Sequence, residues 1–314
     1  MRSDGNGKRT KAVQVADNTF YVLCRDFKAS AKFKGFSKAT QDLWGRELDF
    51  ACRPNCLGAV SLDVIRPALI QGYLDGWDDK PGKQAAALAA FKALEKWAVV
   101  RDLLPRPITL GVETGKPEGG HKPWTDAQVA LAEQHVRPDL ARAITLGANT
   151  GQRISDLVRM CWTDIETFRG IDGINVRQKK TDRQVWVPIL APLAEAMKTW
   201  ERRPGPFLLR SNGKPWRSRN LTDRLDYEKE TNPTLAEIAA ADLVMHGLRG
   251  HACVRLRRAG LTAMQIADMI GMSVPMVERY CRLSVQRENA VAAVIQLQGT
   301  VAERNAANVK SSTD

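Results

Sequence analysis

Beyond residue 150 the sequence carries Arg153, Lys180, His246, Arg249 and Tyr280, in that order. These residue types cover the parts of a phosphodiester cleavage. Such a reaction needs a nucleophile attacking in line, cations that bind the non-bridging oxygens as charge builds, and an acid for the departing oxygen. Arg153 sits in TGQRISDL, after a glycine turn and at a helix start, with Asp156 three residues on. A guanidinium there can grip phosphate through two parallel hydrogen bonds, and taken alone the pair also reads as a surface salt bridge. Lys179, Lys180 and Thr181 form a polar turn from which a long cationic side chain can reach a groove and donate a proton, although exposed turn lysines are common. HGLRGH sets His246 and Arg249 one helical turn apart, so both face the same ligand, as suits an oxyanion. In IGMSVPMVERYCRL, Tyr280 stands among Arg279 and Arg282, cations expected to favour its phenolate form; in isolation it also reads as a partly buried core tyrosine.

The elements that must position these residues can be read from hydrophobic period and punctuation. A helix is expected over Ser37–Phe50 with Ser37 as its cap, a second from Ser61 through Tyr73, and a third over Lys83–Val100 that stops before Pro105 and Pro107. GVETGKPEGGHKP at residues 111–123 has no periodicity and marks a linker. Thr125 caps a helix, and another covers Leu140–Asn149 before Gly151 interrupts it. INVRQ and QVWVPI flank KKTDR as a β-hairpin. Helices then return over Leu235–Val244, His246–Ala259, Ala263–Ile270, Pro275–Leu283 and Glu288–Leu297. The predicted organisation is a flexible basic arm at 1–17, a helical domain at 18–110, the linker at 111–123, a second domain at 124–300 and a disordered tail at 301–314. The fold class is mainly α with a small antiparallel β-sheet.

Composition narrows the partner. The chain has 314 residues and a net charge of +12, which favours a polyanion because each phosphate neutralised by Lys or Arg releases a condensed counterion. Six cysteines and four histidines without a Cys-x-x-Cys pair give no metal-site spacing, and reduced thiols in a cytoplasm are expected. No apolar run approaches the ~18 residues of a membrane span.

Taken together and in order, these segments resemble the catalytic domain of the tyrosine recombinases, the family of lambda integrase, Cre and the Xer proteins. Members carry an arginine after a Thr-Gly turn, a hairpin lysine before Thr, a His-x-x-Arg helix, and a Gly-His or Gly-Trp shortly before the tyrosine. Here those positions are Arg153, Lys180, His246 with Arg249, and Tyr280. The resemblance runs from about Trp124 to Leu297, opened by PWTDAQ, and the helical region before it resembles the family's core-binding domain. One position departs: Gly271 is followed by Met272, a thioether that donates no hydrogen bond. Met272 is expected to pack only, with His251, adjacent to the Arg249 turn, as a conceivable substitute donor.

The resemblance implies a site-specific recombinase that integrates or excises a mobile element. Tyr280 attacks the scissile phosphate to give a 3′-phosphotyrosyl link, Arg153 and Arg249 hold its oxygens, His246 donates a hydrogen bond or takes the tyrosine proton, and Lys180 protonates the leaving 5′ oxygen. Asp156 is expected to orient Arg153. No cofactor is implied. The partners implied are double-stranded DNA attachment sites, further copies in a tetramer to which Glu288–Leu297 contributes a docking helix or else stays in its own core, and accessory excision or host architectural proteins. Lys32, Lys34, Lys38 and Arg46 are candidate phosphate contacts. Two other readings are a non-catalytic helix-turn-helix regulator, from LTAMQIADMIGMSVPMVERY, and a type IB topoisomerase. The regulator leaves the order of the three upstream cations and the imidazole, Arg153, Lys180, His246 and Arg249, unexplained.

Overall fold

The computed structural model describes residues 18–53, 55–115 and 120–282, together with 290, 291, 294 and 298. The expected basic arm, most of the Glu288–Leu297 helix and the expected tail lie outside the described residues. The chain divides into two compact units, Met1–Glu118 and Gly119–Asp314.

The first unit is helical among its described residues: α1 (Phe20–Ala29), α2 (Ala31–Lys34), α3 (Lys38–Ala51), α4 (Pro67–Asp75) and α5 (Pro81–Val99). Phe20, Leu23, Cys24 and Phe27 recur at helical spacing and are all buried, which holds α1 in place. Ser37 caps α3, its side chain accepting from the Thr40 N–H. The helix expected from Ser61 begins instead at Pro67, and Ser61 pairs with Thr19 in an isolated β-bridge. The proline decides the boundary: it excludes Arg66 from the helical region (φ −152°, ψ 163°) and occupies the first turn of α4 itself. Phe91 of α5 meets Phe20 and Tyr73 edge-on at 5.8 and 5.7 Å, so one aromatic side chain ties α1, α4 and α5 together.

The second unit opens with α6 (Asp126–His135), whose Thr125 and Gln128 form a reciprocal capping box, and α7 (Pro138–Thr150), ended by Gly151 at φ +60°. The short α8 (Ile154–Leu157) follows. Three antiparallel strands come next, β1 (Ile165–Phe168), β2 (Ile171–Arg177) and β3 (Gln184–Pro188), in that spatial order. The register sets Ile174 opposite Val187 and Val176 opposite Val185, so one face is apolar and buried. The outer strand β1 escaped the sequence reading because it has four residues and no buried side chain. Helices α9 (Ala191–Lys198), α10 (Ser218–Thr231), α11 (Ala236–Ala240), α12 (Gly247–Arg258), α13 (Ala263–Ile270) and α14 (Val274–Cys281) complete the unit. The helix expected over Leu235–Val244 shrinks to α11, since Asp242 takes a left-handed φ of +50° and breaks it. α6, α7, the sheet and α9–α11 share one core with Trp124, while α12–α14 pack around a second one. No helix among the described residues is long and apolar enough to cross a membrane.

Candidate active site

Two glycine turns frame a cleft in the second unit. Gly151 closes α7 and Gly271 closes α13, both left-handed, at φ +60° and +69°. A side chain at 271 would put its Cβ 2.4 Å from Val185 Cγ2 and 2.7 Å from Gln178 Nε2. Only glycine lets this turn lie against the sheet. The carbonyls of both turns then hold Arg249 of α12: its Nη1 donates to Gly151 O at 2.6 Å and its Nη2 to Gly271 O at 3.4 Å. Burial, and next the neighbouring Arg153, lower the pKa of this guanidinium to about 10, which still leaves it charged at neutral pH.

Arg153 stands at the N-cap of α8 and donates from Nη1 to Gln178 Oε1 at 3.0 Å. Asp156 does not orient it. Its buried carboxylate instead accepts the backbone N–H of Lys179 at 2.8 Å, fixing the hairpin tip that presents Lys180. The α8 turn aims the Asp156 side chain at the β2–β3 loop, and an amide rather than a carboxylate meets the arginine. His246 precedes α12, with its ring 4.8 Å from that of His121 in a T-shaped contact. Burial, then His121 and the cations Arg249, Arg153 and Lys180, depress its pKa to about 4. The imidazole is therefore neutral and able to accept a proton. His251, considered as a substitute donor, belongs elsewhere: its Nδ1 meets Trp124 O at 2.9 Å, and it borders a different cleft beside α6 and α7.

Tyr280 packs its ring over Gly250, where a Cβ would come within 2.9 Å of the tyrosine Cδ1. The expected phenolate does not follow. Burial raises the tyrosine pKa and outweighs the lowering by Arg249, Arg279 and Arg153, so the resting group is a phenol. Met272 is buried, its sulfur 3.7 Å from Cys253 Sγ.

All six positions meet. Arg153, Lys180, His246, Arg249, Met272 and Tyr280 line one cleft of about 410 Å³, with Thr181, Arg183, Gly271, Ser273 and Met276 completing its wall. The lining holds four cationic side chains and no carboxylate, a setting for a phosphate anion. Among the described residues no group of three or more His, Cys, Asp or Glu is placed to hold a metal ion. The sequence reading missed Gln178, the buried Gln152 that bonds to it, and His121; isolated amides and a lone linker histidine form no pattern along a chain.

Residues 130–287, half of the chain, match the family model described as the phage integrase family. The chain belongs to that family. This integrase is accordingly a tyrosine site-specific recombinase. No curated protein matches it significantly. Among solved structures it resembles a lambda integrase dimer bound to a COC′ core site, with TM-score 0.68 and 16% identity over 84% of this chain and 77% of that one. It also resembles the Tn1549 transposon integrase in complex with a circular intermediate DNA, with TM-score 0.66 and 16% identity over 83% and 94%. A third is XerH bound to palindromic difH, with TM-score 0.62 and 12% identity over 91% and 98%.

The helix-turn-helix alternative is not favoured. In the integrase α13 and α14 do flank a turn, yet both bury one face with α12, and Tyr280 of the second helix looks into the cleft.

Proposed function

We propose that Tyr280 is the nucleophile that joins this integrase covalently to DNA. The observation that supports this reading is the single cleft shared by the phenol, two guanidiniums, an ammonium and a neutral imidazole. In the proposed step His246 takes the phenolic proton as the tyrosine oxygen attacks the scissile phosphorus. Arg153 and Arg249 bind the non-bridging oxygens as charge accumulates. Lys180, at the hairpin tip, gives a proton to the departing 5′ oxygen. The products are a 3′-phosphotyrosyl bond and a free 5′-hydroxyl, which attacks in the reverse step to rejoin DNA. The phosphoester energy is kept in the new bond, and the chemistry calls for no metal or nucleotide.

The substrates in this reading are two double-stranded attachment sites of a mobile element, brought together by four copies of the chain. One neighbour of this fold is a lambda integrase tetramer bound to a Holliday junction, at 17% identity and TM-score 0.66. The helical unit acts as the core-binding domain and the unit carrying the cleft as the catalytic domain, with most contacts made to phosphates. Met272 packs in place of a hydrogen-bond donor.

The test uses nicked suicide duplexes tiled across the DNA flanking the coding sequence. The expected result is a covalent protein–DNA adduct on the fragments that carry the site, absent with Tyr280→Phe. Binding without an adduct would mean a regulator, and adducts on every fragment alike a topoisomerase. Met272→His is expected to raise the single-turnover rate of adduct formation; an unchanged rate would mean that the missing donor costs nothing.

A further inference from the structure

We propose that Gln178 is a positioning residue that locks Arg153, the Lys180 hairpin and the turn before the Tyr280 helix into one arrangement. Its side chain is fully buried between them. The amide uses every hydrogen-bonding position it has. Nε2 donates to Gln152 Oε1 at 2.8 Å and to Ile270 O at 3.0 Å. Oε1 accepts from Arg153 Nη1 and from Thr181 Oγ1, both at 3.0 Å. The orientation is fixed by chemistry, because a flipped amide would turn its N–H groups towards a guanidinium that has only donors. Gln152 repeats the anchor, donating from Nε2 to the same Ile270 carbonyl at 2.7 Å.

Each partner leads to a cleft residue. Arg153 lines the cleft itself. Thr181 follows Lys180. Ile270 ends α13 immediately before Gly271, whose carbonyl accepts from Arg249 and whose turn starts the chain towards Tyr280. No other residue type reproduces this set. Glutamate keeps the shape but loses both donors, so Ile270 O and Gln152 Oε1 face a carboxylate. Methionine fills the space and bonds none of the four. Partners that orient a site group through hydrogen bonds typically change its efficiency by about 10–100-fold when removed.

This inference rests on the assignment of Arg153 to the scissile phosphate, and the experiment separates the two. Wild-type protein, Gln178→Met and Gln178→Glu are compared on the tiled nicked duplexes for thermal stability, DNA Kd and single-turnover adduct formation. The expected result is a rate about 10–100-fold lower in both variants, with Kd within about threefold of wild type. A merely structural role would lower stability and binding together and leave the rate on saturating DNA unchanged. The same rate is then measured in Arg153→Ala and in Gln178→Met/Arg153→Ala. If Gln178 acts through Arg153, the second substitution adds little to the first; fully additive losses overturn the proposal. Should Gln178→Met fail to fold, the near-isosteric Gln178→Glu supplies the rate. Absence of an adduct from wild type sinks the underlying assignment, whereas a wild-type adduct with unaffected Gln178 variants sinks the positioning role alone.

Discussion

In the proposed reaction His246 and Tyr280 begin in matched protonation states. The imidazole, lowered to about 4, is neutral at pH 7, and the phenol, raised by burial, is protonated. A neutral base and a neutral acid can exchange a proton without first ionising either against its surroundings. The sign of the pH dependence follows. As pH falls, His246 gains a proton only near its lowered pKa, so wild-type adduct formation is expected to hold steady from pH 8 to about pH 5 and to fall below. A phosphate in the cleft offsets the cations that depress His246 and shifts that limb upward. His246→Ala is expected to cost about 10²–10⁴-fold, the usual range for a positioned acid or base, and to leave a rate that climbs with alkaline pH as the phenol ionises unaided. Single-turnover rates across pH read both. A wild-type rate that rises tenfold per unit through pH 7–9 would show that phenol ionisation, not the imidazole, governs the step. The motifs bearing these residues were legible because each charged group stands at a fixed offset from a glycine or from another charge. The amides of Gln152 and Gln178 were not, since their partners lie up to 118 residues away along the chain.

At the scale of elements, the cleft depends on where helices stop. Gly271 ends α13 at a left-handed φ and leaves no room for a Cβ beside Val185 and Gln178. Gly271→Ala combines the penalty of an alanine in that conformation, about 1–2 kcal/mol, with overpacking of about 1–3 kcal/mol. A loss of about 2–5 kcal/mol in denaturant unfolding is therefore expected, together with slower adduct formation, because the turn carries a carbonyl that holds Arg249. A variant as stable as wild type would mean that the turn relaxes and does not fix the cleft. Some of these ends were readable, with Thr125 capping α6, Gly151 closing α7 and α13 stopping at Gly271, whereas the starts of α4 and α7 at Pro67 and Pro138 were read at Ser61 and Leu140 instead. Among the helices that stayed hidden, with α1, α2 and α9, was α10, fourteen residues of largely polar sequence that bury only Leu221, Leu225 and Glu228. Its Arg224–Glu228 pair, at 2.8 Å, and two leucines four residues apart make too narrow a stripe to rise above a loop reading. The strand β1 was hidden for the complementary reason, as an edge with neither alternation nor burial.

At the scale of the molecule, the excess of 47 Lys and Arg over 35 Asp and Glu has to act through particular phosphates. Lys32 and Lys34 of α2 are exposed and have no carboxylate within ion-pair distance among the described residues, whereas exposed Lys38 is held by Asp42 at 2.8 Å. An exposed pair of that kind is weak and can open towards DNA, but the unpaired lysines need no such exchange. They belong to the first compact unit and the cleft residues to the second, so the part expected of them is affinity and not chemistry. Counterion release then makes a quantitative statement: each phosphate contact adds about −0.9 to the slope of log K against log salt on duplex DNA. If both lysines meet phosphates, Lys32→Gln/Lys34→Gln flattens that slope by about 1.8 and weakens binding most at low salt. The rate of adduct formation on saturating DNA stays at the wild-type value. Titrations of a labelled site-bearing duplex at several salt concentrations measure the slope, and an unchanged slope would place both side chains away from the backbone. A changed slope accompanied by a slower saturated rate would instead mean that this unit helps to set the geometry in which Tyr280 meets its phosphate.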